Sequence, residues 1–299
     1  MSCSSASSNP SPQQTQERLP GAPNPRVAFQ GRRGAFSETA VCRLFPAGAV
    51  PVECRDFESL FSAIRDGRAD AIVAPLENTL AGAVYQCYDL LYEADLSIRD
   101  EVVLPIAHCL IAVPGAALDE IREVESHPVA LAQCERFFAA HPAMQRKVAD
   151  DTAGSVQAII NAGDRARAAI AGSEAAALYG GSILLEHIED YPNNFTRFVL
   201  LCPGQPDADE NNSMSTIALT IPNRAGSLYR TLAPFAEAGI DLRSLLSRPI
   251  KGQPWHYRFF LDVAASRQML EQCVAAPLGA MDVELKYLGS CNSRRDQHQ

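Results

Sequence analysis

The stretch Val50-Pro51-Val52-Glu53-Cys54-Arg55-Asp56-Phe57-Glu58-Ser59-Leu60-Phe61-Ser62-Ala63-Ile64-Arg65-Asp66-Gly67-Arg68-Ala69-Asp70-Ala71-Ile72-Val73-Ala74 decides the fold. Its ends, 50–54 and 71–74, are short apolar runs that read as strands. Between them Phe57, Leu60, Phe61 and Ile64 recur at helical spacing, so 56–66 reads as a helix with one apolar face. Gly67 stands where a helix commonly ends. A further strand at Arg26-Val27-Ala28-Phe29 extends the alternation. Strand–helix–strand order of this kind predicts an α/β fold with a parallel sheet covered by helices.

Outward from that unit the pattern repeats. Gly31-Arg32-Arg33-Gly34 reads as a loop and Ser37 as the start of a helix to about Phe45, while Pro75-Leu76-Glu77-Asn78-Thr79 reads as the loop after a buried strand. Residues 96–113 form a nearly continuous strand pattern broken at Pro105, which suits a crossing to a second lobe. There a strand leads to Ser126-His127-Pro128 and a helix to Ala140. Strands at 147–149 and 168–171 follow, with helices opened by Gly154-Ser155 and Gly172-Ser173. The strand at 197–202 should return to the first sheet. The expected boundaries are lobe 1 at 26–104 and 192–202, lobe 2 at 105–191, and a polar linker at 204–214. Residues 215–290 carry a βαββαβ pattern, which is ferredoxin-like. Such a unit leaves one sheet face bare, so pairing with a second copy is expected. Residues 1–25 and 291–299 read as tails.

The chain has 299 residues and a formal net charge of −9, which argues against nucleic acid or an anionic membrane surface as partner. Nine cysteines, an odd number without a Cys-x-x-Cys pair, read as reduced thiols in the cytoplasm rather than a disulfide frame. Residues 1–25 are rich in Ser, Pro and Gln and lack the apolar core of a secretory signal. Their acid-poor composition leaves an organelle transit peptide as the alternative. No apolar run approaches the ~20 residues that cross a bilayer.

Candidate chemistry lies in short polar islands beside apolar runs: Glu77-Asn78, Ser126-His127, Gln133-Cys134 and Asn194-Phe195-Thr196-Arg197-Phe198. None contains a metal cluster, a phosphate loop or a nucleophile with an adjacent base, so no metal or cofactor is expected. Alone, Thr196 reads as a β-branched strand residue. Its place after Pro192-Asn193-Asn194, at a strand start, makes it a candidate for a cleft. Arg197 and Phe198 then point to opposite sides of the strand. Ser37, Ser126, His127, Ser155 and Ser173 read as helix N-caps. Several helix starts facing one cleft would grip carboxylates through free N–H groups and helix dipoles.

At these residues the chain resembles the prephenate dehydratase family, including its arogenate dehydratase relatives. The family's Gly-x-x-Gly-(Thr/Ala)-(Phe/Tyr)-Ser stands here as Gly31 to Ser37, and Pro75-Leu76-Glu77-Asn78-Thr79 matches a second motif. Ser126-His127-Pro128, Ala130-Leu131-Ala132-Gln133-Cys134 and Asn194-x-Thr196-Arg197-Phe198 match the rest, and the match runs from about 26 to 288. The resemblance implies a two-lobed catalytic domain of periplasmic-binding-protein type with a C-terminal ACT domain. It implies a carbon–oxygen lyase of phenylalanine biosynthesis that turns prephenate, or arogenate, over without a cofactor; a two-lobed module that only binds a small molecule is the second alternative. Thr196, His127 and Glu77 would be catalytic. Ser37, Asn78, Thr79, Ser126, Gln133, Ser173, Asn194, Arg197 and Phe198 would bind substrate, with Phe36 and Phe198 as apolar walls. L-Phenylalanine would bind as an allosteric ligand at Asn223, Ala225, Gly226, Ser227 and Leu228 and at Ser247, Arg248 and Pro249, in a homodimer or homotetramer. The sequence departs from the family pattern at Leu246, where Glu is usual, at Ser227, where Ala is usual, and at Gly172, where many members carry Ser.

Overall fold

A computed structural model describes residues 24–205 and 212–294. The expected tail at 1–25 and the linker at 204–214 fall largely outside the described residues. The chain runs β1 (Arg26–Gln30), α1 (Phe36–Leu44), β2 (Val50–Cys54), α2 (Phe57–Arg65), β3 (Ala71–Asn78), β4 (Gly82–Ala83), α3 (Tyr85–Glu93) and β5 (Leu96–Pro105). It continues with β6 (Cys109–Ala112), β7 (Glu123–Ser126), α4 (Pro128–Ala132), α5 (Glu135–Ala140), β8 (Gln145–Val148), α6 (Thr152–Ala162), β9 (Arg167–Ala171), α7 (Ser173–Tyr179) and β10 (Ser182–Leu185). Strand β11 (Phe195–Pro203) returns. The rest is β12 (Met214–Thr220), α8 (Ser227–Glu237), β13 (Leu242–Pro249), β14 (Tyr257–Val263), α9 (Arg267–Leu270), a π-helical turn (Glu271–Ala275), α10 (Ala276–Gly279) and β15 (Glu284–Cys291).

Among the described residues, one sheet is ordered β2-β1-β3-β11-β5-β15-β12-β14-β13, with β4 beside β3, and the other β10-β6-β9-β7-β8. β1 lies parallel to β2 and β3, whereas β11 runs antiparallel between β3 and β5. Two crossings, after β5 and before β11, therefore join two α/β lobes. Helix α2 forms where a capping box operates: Asp56 accepts from the Ser59 N–H, and the Ser59 hydroxyl accepts from the Asp56 N–H. Its face, with Leu60, Phe61 and Ala63, packs on β1 and β3.

The order β15-β12-β14-β13 gives the C-terminal unit a ferredoxin-like sheet. One face carries α8, through Phe235, and the α9–α10 segment over Ile217, Leu219 and Leu261. The other face is not bare, as expected from sequence, because α3 of lobe 1 covers it. Phe260 and Leu288 share a core with Tyr88 and Leu91, and the Tyr88 and Phe260 rings are 5.1 Å apart. The sheets of lobe 1 and of this unit meet where Gly289 pairs with Ile98. Residues 291–294 are also docked rather than a tail, since the Arg294 N–H donates to Glu101 at 2.7 Å. The eight described cysteines are free thiols, six of them buried. No described helix is long and apolar enough to cross a membrane.

Candidate functional site

The segment 75–78, read from sequence as a loop, is strand. Opposite β11, Glu77 pairs with Arg197 but Pro75 pairs with Phe198, so Leu76 is an extra residue, a β-bulge. The bulge reverses the side-chain alternation. Ile72, Ala74 and Leu76 enter one core with Val199 and Leu201, while Ala71 and Val73 enter the other with Phe198 and Leu200. Without the extra residue Asn78 would follow Leu76. With it, Asn78 lies beside Thr196, its direct partner, on the opposite face.

Asn78 is the hub of the site. Its Oδ1 accepts from the Leu80 and Ala81 N–H groups at 3.0 and 2.7 Å, an Asx-type turn. The amide orientation is thereby fixed, and Nδ2 must donate. It serves Thr196 Oγ1 at 2.9 Å, Asn194 Oδ1 at 2.7 Å and the Phe195 carbonyl at 3.1 Å. The same polarity runs on into lobe 2. Asn194 Nδ2 donates to Gln133 Oε1 at 3.0 Å, and His108 Nε2 lies 2.9 Å from that oxygen. An amide oxygen only accepts, so His108 carries its proton on Nε2. Its Nδ1 is left buried without a partner among the described residues. Burial holds the His108 pKa below its usual value, against smaller opposing effects of Gln133 and Glu189. Gln133 is thus oriented with Nε2 free to donate. His108 was missed as a functional residue; its sequence signal is an imidazole inside the apolar run 106–113.

Thr196 is 8% exposed. Its oxygen accepts from Asn78, so its own proton remains to be donated. Thr79 holds the turn that delivers it: its N–H and hydroxyl bridge to the Phe195 carbonyl, the Phe195 N–H and the Asn193 carbonyl at 2.9, 2.9 and 3.1 Å. The Thr79 hydroxyl is therefore structural. Phe36 meets the His108 ring edge-on at 6.0 Å across the seam between the lobes. A Cβ at Gly172 would stand 3.0 Å from a Glu174 carboxylate oxygen and 3.1 Å from the Phe36 ring, so a side chain there would need those neighbours to shift.

Several residues expected in the site are elsewhere. Arg197 points away from Thr196 and is 3% exposed. Its Nε meets Glu101 at 2.6 Å and its Nη1 meets Asp262 of the C-terminal unit at 2.8 Å. Burial alone would lower its pKa, but Asp262 and Glu101 hold it well above the usual value. Glu77, paired opposite Arg197, shares that face rather than Thr196's. Phe198 is core, packed with Val27, Phe29 and Val41. Ser126 is fully buried and donates to the Ile170 carbonyl at 2.6 Å, which ties β7 to β9.

His127 does cap α4, its Nδ1 accepting from the Val129 N–H at 3.2 Å, and burial lowers its pKa. Ser37, Ser155 and Ser173 are not caps: Ala35, Asp151 and Gly172 hold those positions. Asp151 accepts from the Gly154 N–H at 2.5 Å, and Glu38 accepts from the Gly34 N–H at 2.6 Å ahead of α1. These helix starts already hold carboxylates of the chain itself. At those two starts the Gly154 and Gly34 N–H groups are therefore closed to an acidic ligand. The side-chain donors left are Thr196, Gln133 and the Ser37 hydroxyl, which makes no hydrogen bond among the described residues.

Residues 27–206 match the family model described as prephenate dehydratase. A chloroplastic arogenate dehydratase/prephenate dehydratase of Arabidopsis thaliana is 37% identical over 81% of this chain, and the match spans 65% of that protein's length. Among solved structures, one described as a novel type of quorum quenching acylase superposes with a TM-score of 0.81 at 31% identity, covering 91% of this chain and 99% of the other. A prephenate dehydratase from Arthrobacter aurescens in complex with L-Phe superposes with a TM-score of 0.80 at 29% identity, covering 92% and 91%.

Proposed function

The chain belongs to the prephenate dehydratase family, and from that premise we propose that it catalyses the decarboxylating dehydration of prephenate to phenylpyruvate, with arogenate as the alternative substrate. The observation that carries this reading is the Thr196 hydroxyl, whose oxygen accepts from Asn78 and whose proton is left to give. Prephenate is a cyclohexadiene with a ring carboxylate, a ring hydroxyl and a side-chain keto acid. The bond to the carboxylate breaks and carbon dioxide leaves. Its electron pair completes the aromatic ring as the ring C–O bond breaks, and the departing hydroxyl takes a proton and leaves as water. Thr196 donates to that hydroxyl. An aliphatic hydroxyl is too weak an acid to act unaided, so the Asn78 N–H stabilises the developing charge on its oxygen while a relay restores the proton. Preorganised donation of this kind is worth roughly 10²–10³ in rate. Gln133 Nε2 and the Ser37 hydroxyl are the donors available to the carboxylates.

The acylase neighbour suggests a different chemistry. Acyl transfer needs a base that takes the hydroxyl proton. Thr196 instead receives a hydrogen bond from an amide, which weakens its oxygen as a nucleophile. The test is purified protein offered prephenate, arogenate and an acylated amine separately. Turnover of prephenate or arogenate supports the reading, and hydrolysis of the acylated amine alone contradicts it.

We read the C-terminal unit as an ACT domain that takes phenylalanine as a feedback signal, in a homodimer or homotetramer. Within one chain the two expected halves of that site line different cavities. Asn223, Gly226, Ser227 and Leu228 face Tyr257 and Phe259, whereas Arg248 and Pro249 face Asp89 and Tyr92. A second copy would bring the halves together, and Tyr229 and Trp255, about four-fifths exposed, suit such a contact. Phenylalanine should then inhibit turnover and favour the oligomer in sedimentation. An unchanged monomer that binds no phenylalanine overturns this part. The free thiols fit a reducing compartment, the cytoplasm in this reading.

A further inference from the structure

We propose that Arg197 is a positioning residue for Thr196, and that Asp262 of the C-terminal unit is half of the clamp that holds it. The inference rests on the dehydratase reading above. Thr196 and Arg197 are neighbours in β11, so they point to opposite faces and a twist of the shared backbone there re-aims both. Arg197 also lies opposite the β3 bulge that brings Asn78 to Thr196.

The clamp is built from separate parts of the chain. Glu101 Oε2 on β5 accepts from Arg197 Nε at 2.6 Å, and its Oε1 accepts from the Arg294 N–H at 2.7 Å. Asp262 Oδ2 on β14 accepts from Arg197 Nη1 at 2.8 Å and from the Ser244 hydroxyl at 2.9 Å. Its Oδ1 accepts from the Thr216 hydroxyl at 2.6 Å. Two buried carboxylates thus fix two edges of one planar guanidinium, while Nη2 stays buried without a partner among the described residues. A buried charge cluster is a weak source of net stability, because desolvation offsets attraction. What two carboxylates impose on a rigid fork is orientation. The C-terminal unit thereby sets the angle of the hydroxyl in the cleft even with no effector bound.

The experiment is a double-mutant cycle in the full-length chain. Asp262→Asn and Arg197→Lys are each made alone and in a Thr196→Ala background, and kcat and KM are measured with prephenate and arogenate. Each single substitution should lower kcat by about 10- to 100-fold with KM nearly unchanged, as misplacement of a reacting group does. In the Thr196→Ala background neither should lower kcat by more than about 2-fold, since residues that act through one another are not additive. Ser244→Ala, which loosens Asp262 without removing a charge, should show the same pattern in weaker form and serves if Arg197→Lys fails to fold. Equal losses in both backgrounds, or single variants with wild-type kcat, overturn the proposal while leaving the dehydratase reading intact. A wild-type chain that turns over neither substrate overturns both.

Discussion

Asn78 donates to the hydroxyl of Thr196 at 2.9 Å across a separation of 118 residues, as direct partners in antiparallel strands. The substitution Asn78→Asp keeps the shape and replaces the donor with a carboxylate. The Leu80 and Ala81 N–H groups would still be served, but Thr196 would turn its proton toward residue 78. We expect kcat to fall by about 10²- to 10³-fold, as for loss of one preorganised donor. KM should move little, and circular dichroism should report a folded chain. Wild-type kcat in this variant would remove Asn78 from the mechanism.

Stability should fall on mild acidification because of His108. Its folded pKa is lowered by burial, so the unfolded chain binds the proton more readily. Its stabilising contribution is complete above the unfolded value of about 6.5 and is lost as pH falls from there toward the lower folded value. The slope from one such group is at most about 1.4 kcal/mol per pH unit. His127, also lowered by burial, adds in the same direction. Urea midpoints measured between pH 7.5 and 5.5 should drop for the wild type and drop less for His108→Gln. Equal drops would mean that folding does not lower the pKa of His108.

The joint between lobe 1 and the C-terminal unit should be intolerant of one methyl group. Gly289 has φ of +145°, and a Cβ there would stand 2.3 Å from the Ile98 carbonyl oxygen. Gly289→Ala should destabilise by more than about 1 kcal/mol, since alanine resists that conformation as well. Limited proteolysis should then separate lobe 1 from the C-terminal unit faster than in the wild type. An unchanged thermal midpoint and digestion pattern would mean that the two sheets do not meet there.

Much of the architecture is legible in local patterns. The 50–74 segment shows its strand, helix and strand because apolar spacing reports burial directly, and the βαββαβ unit follows by the same logic. Helix α3 escaped that reading, although its buried Cys87, Tyr88 and Leu91 lie at helical spacing. The face it covers belongs to strands more than 120 residues later, and the sequence of the unit alone leaves that face open. The site is legible as a set of residues but not as roles. Thr196, Asn78, Asn194 and Gln133 come together as one network. Glu77, Arg197, Phe198 and Ser126 do not join it. The directions of Glu77 and Arg197 depend on a one-residue bulge at Leu76 and on carboxylates at 101 and 262, and that of Ser126 on the Ile170 carbonyl of a strand more than 40 residues away, none of which a local pattern encodes.

The most direct measurement is kcat on prephenate or arogenate for the wild type, Thr196→Ser and Thr196→Ala. A hydroxyl that donates while Asn78 holds its oxygen predicts that alanine lowers kcat about 10²- to 10³-fold at near-constant KM. Serine, which keeps the hydroxyl, should recover most of that loss. If the alanine variant turns substrate over at the wild-type rate, or if only KM rises, the hydroxyl of Thr196 is not the group that helps the water to leave.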